Sequence, residues 1–218
     1  MVNKLIDHTL LKAFATEDDI IKLCCEAKEY HFKSVCVNPV NVSLAAKLLK
    51  GSDVLVCTVV GFPLGANTIA IKEAETIDAI NNGANEIDMV INVGKAKEHN
   101  FKYIEDEIAA VVKAAKGNTV KVIIETCYLD DYEKCEVCKA ATLAKANFVK
   151  TSTGFGTGGA NPHDVAIMKA SIAPNMEVKA SGGIKTYDDV KALVEAGATR
   201  IGASAGIAIM EAAAKENK

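Results

Sequence analysis

Two lysines stand where lysine is costly. Lys150 in FVKTS and Lys179 in EVKAS each interrupt a short β-branched run, and an ammonium is almost never buried without a partner or a task. Strand side chains alternate, so Phe148, Lys150 and Ser152 share a face, as do Lys179 and Ser181. On neighbouring strands, two such groups about 5 Å apart repel by roughly 3 kcal/mol at an effective dielectric near 20. That repulsion, with burial, drives one amine towards its neutral form. A neutral lysine is a nucleophile able to add to a carbonyl and form an imine. The bland alternative is a lysine that snorkels out of the sheet or pairs with a carboxylate; two together argue for chemistry. Asp88 in EIDMVIN is the third member, on a face shared with Val90 and Asn92. It reads as a counter-ion for the lysines, as a proton shuttle acting through water, or as both.

A second constellation is made of glycines. TGFGTGG (153–159), SGGIK (181–185) and GASAG (202–206) each follow a β-branched run. Glycine lets backbone N–H groups approach an anion, and the last two βα loops of a parallel barrel commonly hold phosphate. The loops therefore predict a phosphorylated carbonyl substrate.

These residues need a scaffold that brings strand ends together. β-Branched runs at 5–9, 34–37, 54–60, 86–92, 120–126, 148–152, 177–181 and 200–204 alternate with amphipathic stretches. The spacing matches repeated βα units, and near-continuous apolar strands are covered on both faces. The prediction is an α/β fold, one (β/α)8 TIM barrel serving as a single catalytic domain over residues 1–218. Its active site lies at the carboxyl ends of the strands. Thr16 with Asp19, Asp130 with Glu133 and Thr186 with Asp189 read as capping boxes, and Asn161–Pro162 as an N-cap with proline in the first turn. Gly83 and Gly197 read as helix stops.

The composition agrees. The 218 residues are 50% hydrophobic with a net charge of −3, which gives no global field for nucleic acid. No apolar run is long enough to span a bilayer, and the amino terminus has no secretory h-region. Seven cysteines, an odd number lying in apolar segments, predict reduced thiols and a cytoplasmic protein.

FVKTSTGFGTGGA, VKASGGIKT, EIDMVINVG, KVIIET, LIDHTLLK and RIGASAG together resemble the deoxyribose-phosphate aldolase family, in that family's order and over almost the whole chain. The resemblance implies a class I (Schiff-base) aldolase that cleaves 2-deoxy-D-ribose 5-phosphate reversibly to acetaldehyde and D-glyceraldehyde 3-phosphate. It implies no metal and no cofactor, small-molecule partners alone, and assembly as a homodimer or homotetramer. Carried over, Lys150 forms the imine, Lys179 depresses its pKa and helps proton transfer, and Asp88 belongs to the relay. Gly154, Gly182, Gly183, Gly202 and Ser204 match phosphate-loop positions, and Thr153 and Asp7 match positions near the substrate hydroxyls. Two departures stand out. The ending EAAAKENK lacks the tyrosine tail that assists proton transfer in some members, and Ala205 replaces a second serine found in some relatives.

Other residues carry weaker signals. Cys135 and Cys138 form a C-x-x-C inside a helical pattern, without the second pair a zinc site needs. Cys36 and Cys57 read as small apolar residues lining the barrel, and His8 as structural or close to the site. Glu125 is a candidate for orienting Lys150. The competing functions are another phosphosugar barrel enzyme, such as an isomerase or a transaldolase-like transferase, and a non-catalytic phosphosugar sensor.

Overall fold

Alternation inside eight short strands decides the architecture. In the computed structural model, which describes residues 2–216, the strands are β1 (Ile6–Leu10), β2 (Ser34–Val37), β3 (Leu55–Val60), β4 (Glu86–Val90), β5 (Thr119–Ile123), β6 (Phe148–Lys150), β7 (Glu177–Ser181) and β8 (Arg200–Ala203). They pair in parallel in chain order, and β8 closes on β1. Around them run α1 (Glu17–Glu29), α2 (Val42–Leu49), α3 (Ile69–Asn81), α4 (Val93–Lys97), α5 (Phe101–Ala114), α6 (Asp131–Leu143), α7 (Pro162–Ser171), α8 (Tyr187–Glu195) and α9 (Gly206–Glu216). The predicted TIM barrel is the observed fold. Of the ending EAAAKENK, residues 217 and 218 lie outside the described residues.

Outward strand positions such as Val35, Val56, Ile87, Val122, Val149 and Ile201 are fully or almost fully buried in the main apolar cluster, between sheet and helices. The barrel interior is different. Its apolar cluster is only Leu11, Cys36, Cys57 and Val59, with Phe62 packed against it. At the other inward positions seven charged side chains, Asp7, Glu86, Asp88, Lys121, Lys150, Lys179 and Arg200, lie among Val90, Ile123 and Phe148. Most of the apolar cohesion of the barrel therefore comes from its outer layer.

The three expected capping boxes are present at Thr16, Asp130 and Thr186, and Asn161 accepts from the backbone N–H of Asp164 with proline following it. Gly83 and Gly197, with φ of 106° and 114°, follow α3 and α8 as expected. Several strands stop before the β-branched run ends, for local reasons. Asn92 turns its side chain to cap α4, accepting from the Lys95 N–H. Glu125, two residues past β5, has φ 54°, in the left-handed region that side chains rarely adopt.

A fully buried ion pair lies outside the barrel. The fully buried Lys72 of α3 donates to Glu107 Oε1 of α5 at 2.6 Å, to Gly65 O at 2.8 Å and to Val90 O at 2.7 Å. Glu107 Oε2 accepts from the Asn92 N–H at 2.8 Å. The pair thereby fastens the β3–α3 connection to the end of β4. Gly65 must be glycine there, because a Cβ would meet Ile91 O at 1.8 Å. Removing one partner strands the other charge, which costs about 3–5 kcal/mol. Lys72→Met is therefore expected to lower the unfolding free energy by that amount in urea titration, and Lys72→Met with Glu107→Leu to recover most of it. A Lys72→Met chain as stable as the parent would show that the pair contributes nothing.

Candidate active site

The barrel register sets the site. Asp88 of β4 is level with Lys121 of β5, Lys150 of β6 with Lys179 of β7, and Lys179 with Arg200 of β8. All point inward. Asp88 Oδ2 accepts from Lys150 Nζ and from Lys179 Nζ, each at 2.7 Å, and its Oδ1 accepts from Lys121 Nζ at 2.8 Å. Lys179 also lies 2.5 Å from Asp7 Oδ2, and Lys121 lies 2.7 Å from Glu86 Oε2. Arg200 donates from Nε to Asp7 Oδ1 at 2.6 Å and from Nη2 to Glu86 Oε1 at 2.7 Å. Four cations thus share three carboxylates.

Burial alone would neutralise Asp88, Lys179 and Lys121, but neighbouring opposite charges hold them charged. Burial opposes ionisation of Asp88, yet Lys121, Lys150 and Lys179 keep it well below the usual carboxylate range. Burial also opposes the Lys179 ammonium, and Asp7 and Asp88 outweigh it, so its pKa lies above the ordinary lysine range. Lys121 is likewise raised against burial, by Asp88, Cys57, Asp7 and Glu86. This corrects one expectation. Lys150 and Lys179 do not face each other as bare like charges, because Asp88 sits between them, and Lys179 is itself a firmly held ammonium. Lys150 differs from the other three cations in touching one carboxylate rather than at least two. It is also the one of the three Asp88-bound lysines that lines a cavity.

That cavity, of about 280 Å³, opens at the carboxyl ends of the strands. It gathers Lys150, Thr153, Gly154, Gly182, Gly183, Gly202 and Ser204. Gly154, Gly182 and Gly183 have φ of 85°, 90° and 79°, and a Cβ on Gly154 or Gly183 would meet nothing within 4 Å. Both therefore present bare backbone to open space. Gly202 has another reason to lack a side chain: a Cβ there would lie 3.1 Å from Lys179 Cε. Thr153 is held by Glu125, whose Oε1 accepts from the Thr153 N–H at 3.1 Å and whose Oε2 accepts from its hydroxyl. Glu125 accordingly fixes the loop after β6 and does not touch Lys150, the role expected for it.

Asp88 and Lys179 form the floor beneath this cavity. Asp7, expected beside substrate hydroxyls, is corrected to the same floor: it is fully buried, bonded to Ser34, Arg200 and Lys179. His8 is structural, its Nε2 lying 2.7 Å from Glu26 Oε2. Cys36 and Cys57 line the barrel as expected, and with Asp88 they place three ligand atoms within 4.8 Å of one another. The Lys121 ammonium already lies 2.8 Å from Asp88 and 3.4 Å from Cys57 Sγ, so a metal cation there would meet a positive charge. Lys121, Glu86 and Arg200 escaped the sequence reading. The signal was present, since TVKVI and NEIDMV break apolar strands just as FVKTS does.

The chain matches the model of the DeoC/LacD family aldolases over residues 1–212. It is 60% identical over 208 residues to a deoxyribose-phosphate aldolase of Lysinibacillus sphaericus, covering 95% of this chain and 93% of the relative. Identity to the enzyme of the same name from Streptococcus sanguinis is 59% over 210 residues, 96% of either chain. Among solved structures, the tetrameric deoxyribose phosphate aldolase of Aeropyrum pernix superimposes with a TM-score of 0.92 at 34% identity, covering 99% of this chain and 92% of that one.

The depressed pKa of Asp88 has a definite sign. Its stabilising contribution is complete above the unfolded carboxylate value of 3.8 and is lost as pH falls from there towards the lower folded value. The stability difference between the parent and Asp88→Asn is expected to be flat from about pH 5 to 8 and to shrink below about pH 4. Denaturant titrations across pH check this, and a difference that grew in acid would contradict it.

Proposed function

The chain belongs to the DeoC/LacD family of aldolases, and we propose how its barrel performs the reversible cleavage of 2-deoxy-D-ribose 5-phosphate to acetaldehyde and D-glyceraldehyde 3-phosphate. The observation that carries the assignment is one oxygen: Asp88 Oδ2 accepts from both Lys150 and Lys179. The four cations exceed the three carboxylates by one, so loss of a single proton leaves the cluster neutral. Lys150 is the member that can meet substrate, and Asp88, held as a carboxylate, links its ammonium to that of Lys179 through one oxygen.

As the free amine, Lys150 Nζ adds to the C1 aldehyde of the open-chain sugar; a proton from Lys179 lets the C1 oxygen leave as water, and an iminium remains. The C3 hydroxyl proton passes through water to Lys179, now the free amine, and that oxygen becomes a carbonyl as the C2–C3 bond breaks. The electron pair moves into the iminium, giving a neutral enamine on Lys150 and releasing D-glyceraldehyde 3-phosphate. Protonation of the enamine at C2 restores an iminium, and water then frees acetaldehyde and the amine. The iminium is the electron sink that a divalent Lewis acid would otherwise supply. Lys179, held protonated by Asp7 and Asp88, is the proton donor next to Lys150. The glycine loops receive the phosphate, and Thr153, fixed by Glu125, orients the loop that carries Gly154.

We further propose assembly as a homodimer or homotetramer in the cytoplasm. Exposed apolar side chains at Val40, Leu143 and Tyr132, the tetrameric relative and seven unbridged cysteines support this. No helix among the described residues is long and apolar enough to cross a membrane. Light scattering that found only monomer would remove the assembly.

Acetaldehyde release from 2-deoxyribose 5-phosphate tests the chemistry. Lys150→Ala is expected to be inactive. Lys179→Met is expected to lose about 100- to 10,000-fold in kcat, the usual worth of a positioned acid–base group. Unchanged activity and pH dependence in Lys179→Met would remove that residue from the proton path.

A further inference from the structure

The 280 Å³ cavity has reactive and anion-receiving ends, and its charge is unevenly supplied. A phosphate ester carries about −1.5 to −2 charges at neutral pH. Backbone N–H groups at Gly154, Gly182 and Gly183 offer dipoles but no net charge. Among the described residues lining the cavity, the charged side chains are Lys150 and Lys12, and no carboxylate lines it. Lys150 is bound to Asp88 and reserved for the carbonyl end. That leaves Lys12.

Lys12 lies in the β1–α1 connection, exposed at the rim, and borders the cavity together with Gly182, Gly183 and Ser204. Unlike the four barrel cations, it makes no ion pair within 4.0 Å of a carboxylate among the described residues; its Nζ rests 5.5 Å from the centre of the Phe14 ring. A lysine on a flexible stem is a point charge that can follow a phosphate without a fixed fork geometry. A second cavity, of about 590 Å³, adjoins the first and shares Lys12 and Ser204 with it, but on that side the carboxylates of Asp19, Glu26 and Glu211 outnumber the one further cation, Lys22, which lies 3.9 Å from Glu26. Those carboxylates repel a dianion, so the favourable side of Lys12 is the glycine side.

We propose that Lys12 is the counter-ion of the substrate phosphate and sets the preference for phosphorylated over unphosphorylated sugar. The inference rests on the aldolase reading above and adds its specificity residue. Lys185, the nearby lysine of SGGIK, does not line the cavity, and its backbone N–H is spent on Asp189 at 2.9 Å.

The test compares kcat/KM for 2-deoxyribose 5-phosphate and for 2-deoxyribose in the parent, Lys12→Met, Lys12→Arg and Lys185→Met. A charge-assisted contact is worth about 10- to 100-fold. Lys12→Met is expected to lower the ratio of the two values by that factor, chiefly through KM for the phosphorylated sugar. Lys12→Arg should restore most of the ratio, and Lys185→Met should keep it. Calorimetry with inorganic phosphate gives an activity-independent reading, in which Lys12→Met binds about tenfold or more weakly. An unchanged ratio and unchanged phosphate affinity in Lys12→Met, or a collapse confined to Lys185→Met, would overturn the proposal. Failure of the parent to cleave the phosphorylated sugar would count against the aldolase reading instead, and the calorimetry would still decide Lys12.

Discussion

One carboxylate touching three ammonium groups is the constraint around which the barrel is organised. Asp88 has no exposure to water, and its two oxygens meet Lys121, Lys150 and Lys179 within 2.8 Å. Desolvating each ion costs several kcal/mol, and only close pairing offsets it. The structure meets that requirement by a second tier. Asp7 and Glu86 bridge Arg200 to Lys179 and Lys121, so each cation except Lys150 has at least two anionic neighbours. The amine with the thinnest compensation is the one placed before substrate.

Such an interior cannot hold the barrel together by itself. The outward strand residues do that, packed against the helix ring in one continuous apolar cluster. The division has a consequence for chemistry. A rigid outer layer keeps strand register fixed, and register alone puts Lys150, Lys179 and Arg200 side by side. The loops above are free to differ in task. The one after β6 is anchored by Glu125, whose backbone adopts a left-handed conformation while its carboxylate holds Thr153. Strain of this kind persists where surrounding contacts over-determine it.

Much of this was legible in the chain. Alternation placed Lys150, Lys179 and Asp88 on the inner face, and the spacing of β-branched runs gave the eight strands in order. Capping boxes at Thr16, Asp130 and Thr186 marked helix starts, because they depend on contacts three residues apart. What escaped depends on contacts between distant strands. Nothing local says that Asp88 will stand between two lysines rather than beside them, or that Asp7 will face Lys179 instead of the cavity. Lys121 could have been found by the same argument that found Lys150, yet its task of steadying Asp88 depends on the β4–β5 register. Strand ends were overrun because β-branched residues continue past the ladder, while Asn92 turns to cap α4 and Glu125 takes up a left-handed conformation.

The central claim is that Lys150, and not its better-compensated neighbours, supplies the amine. Borohydride reduction of the protein with acetaldehyde, followed by peptide mass spectrometry, tests it most directly. The account predicts a single ethyl group, on Lys150, and the same adduct in Lys179→Met. An adduct on Lys179 or Lys121, or none at any lysine, would contradict it.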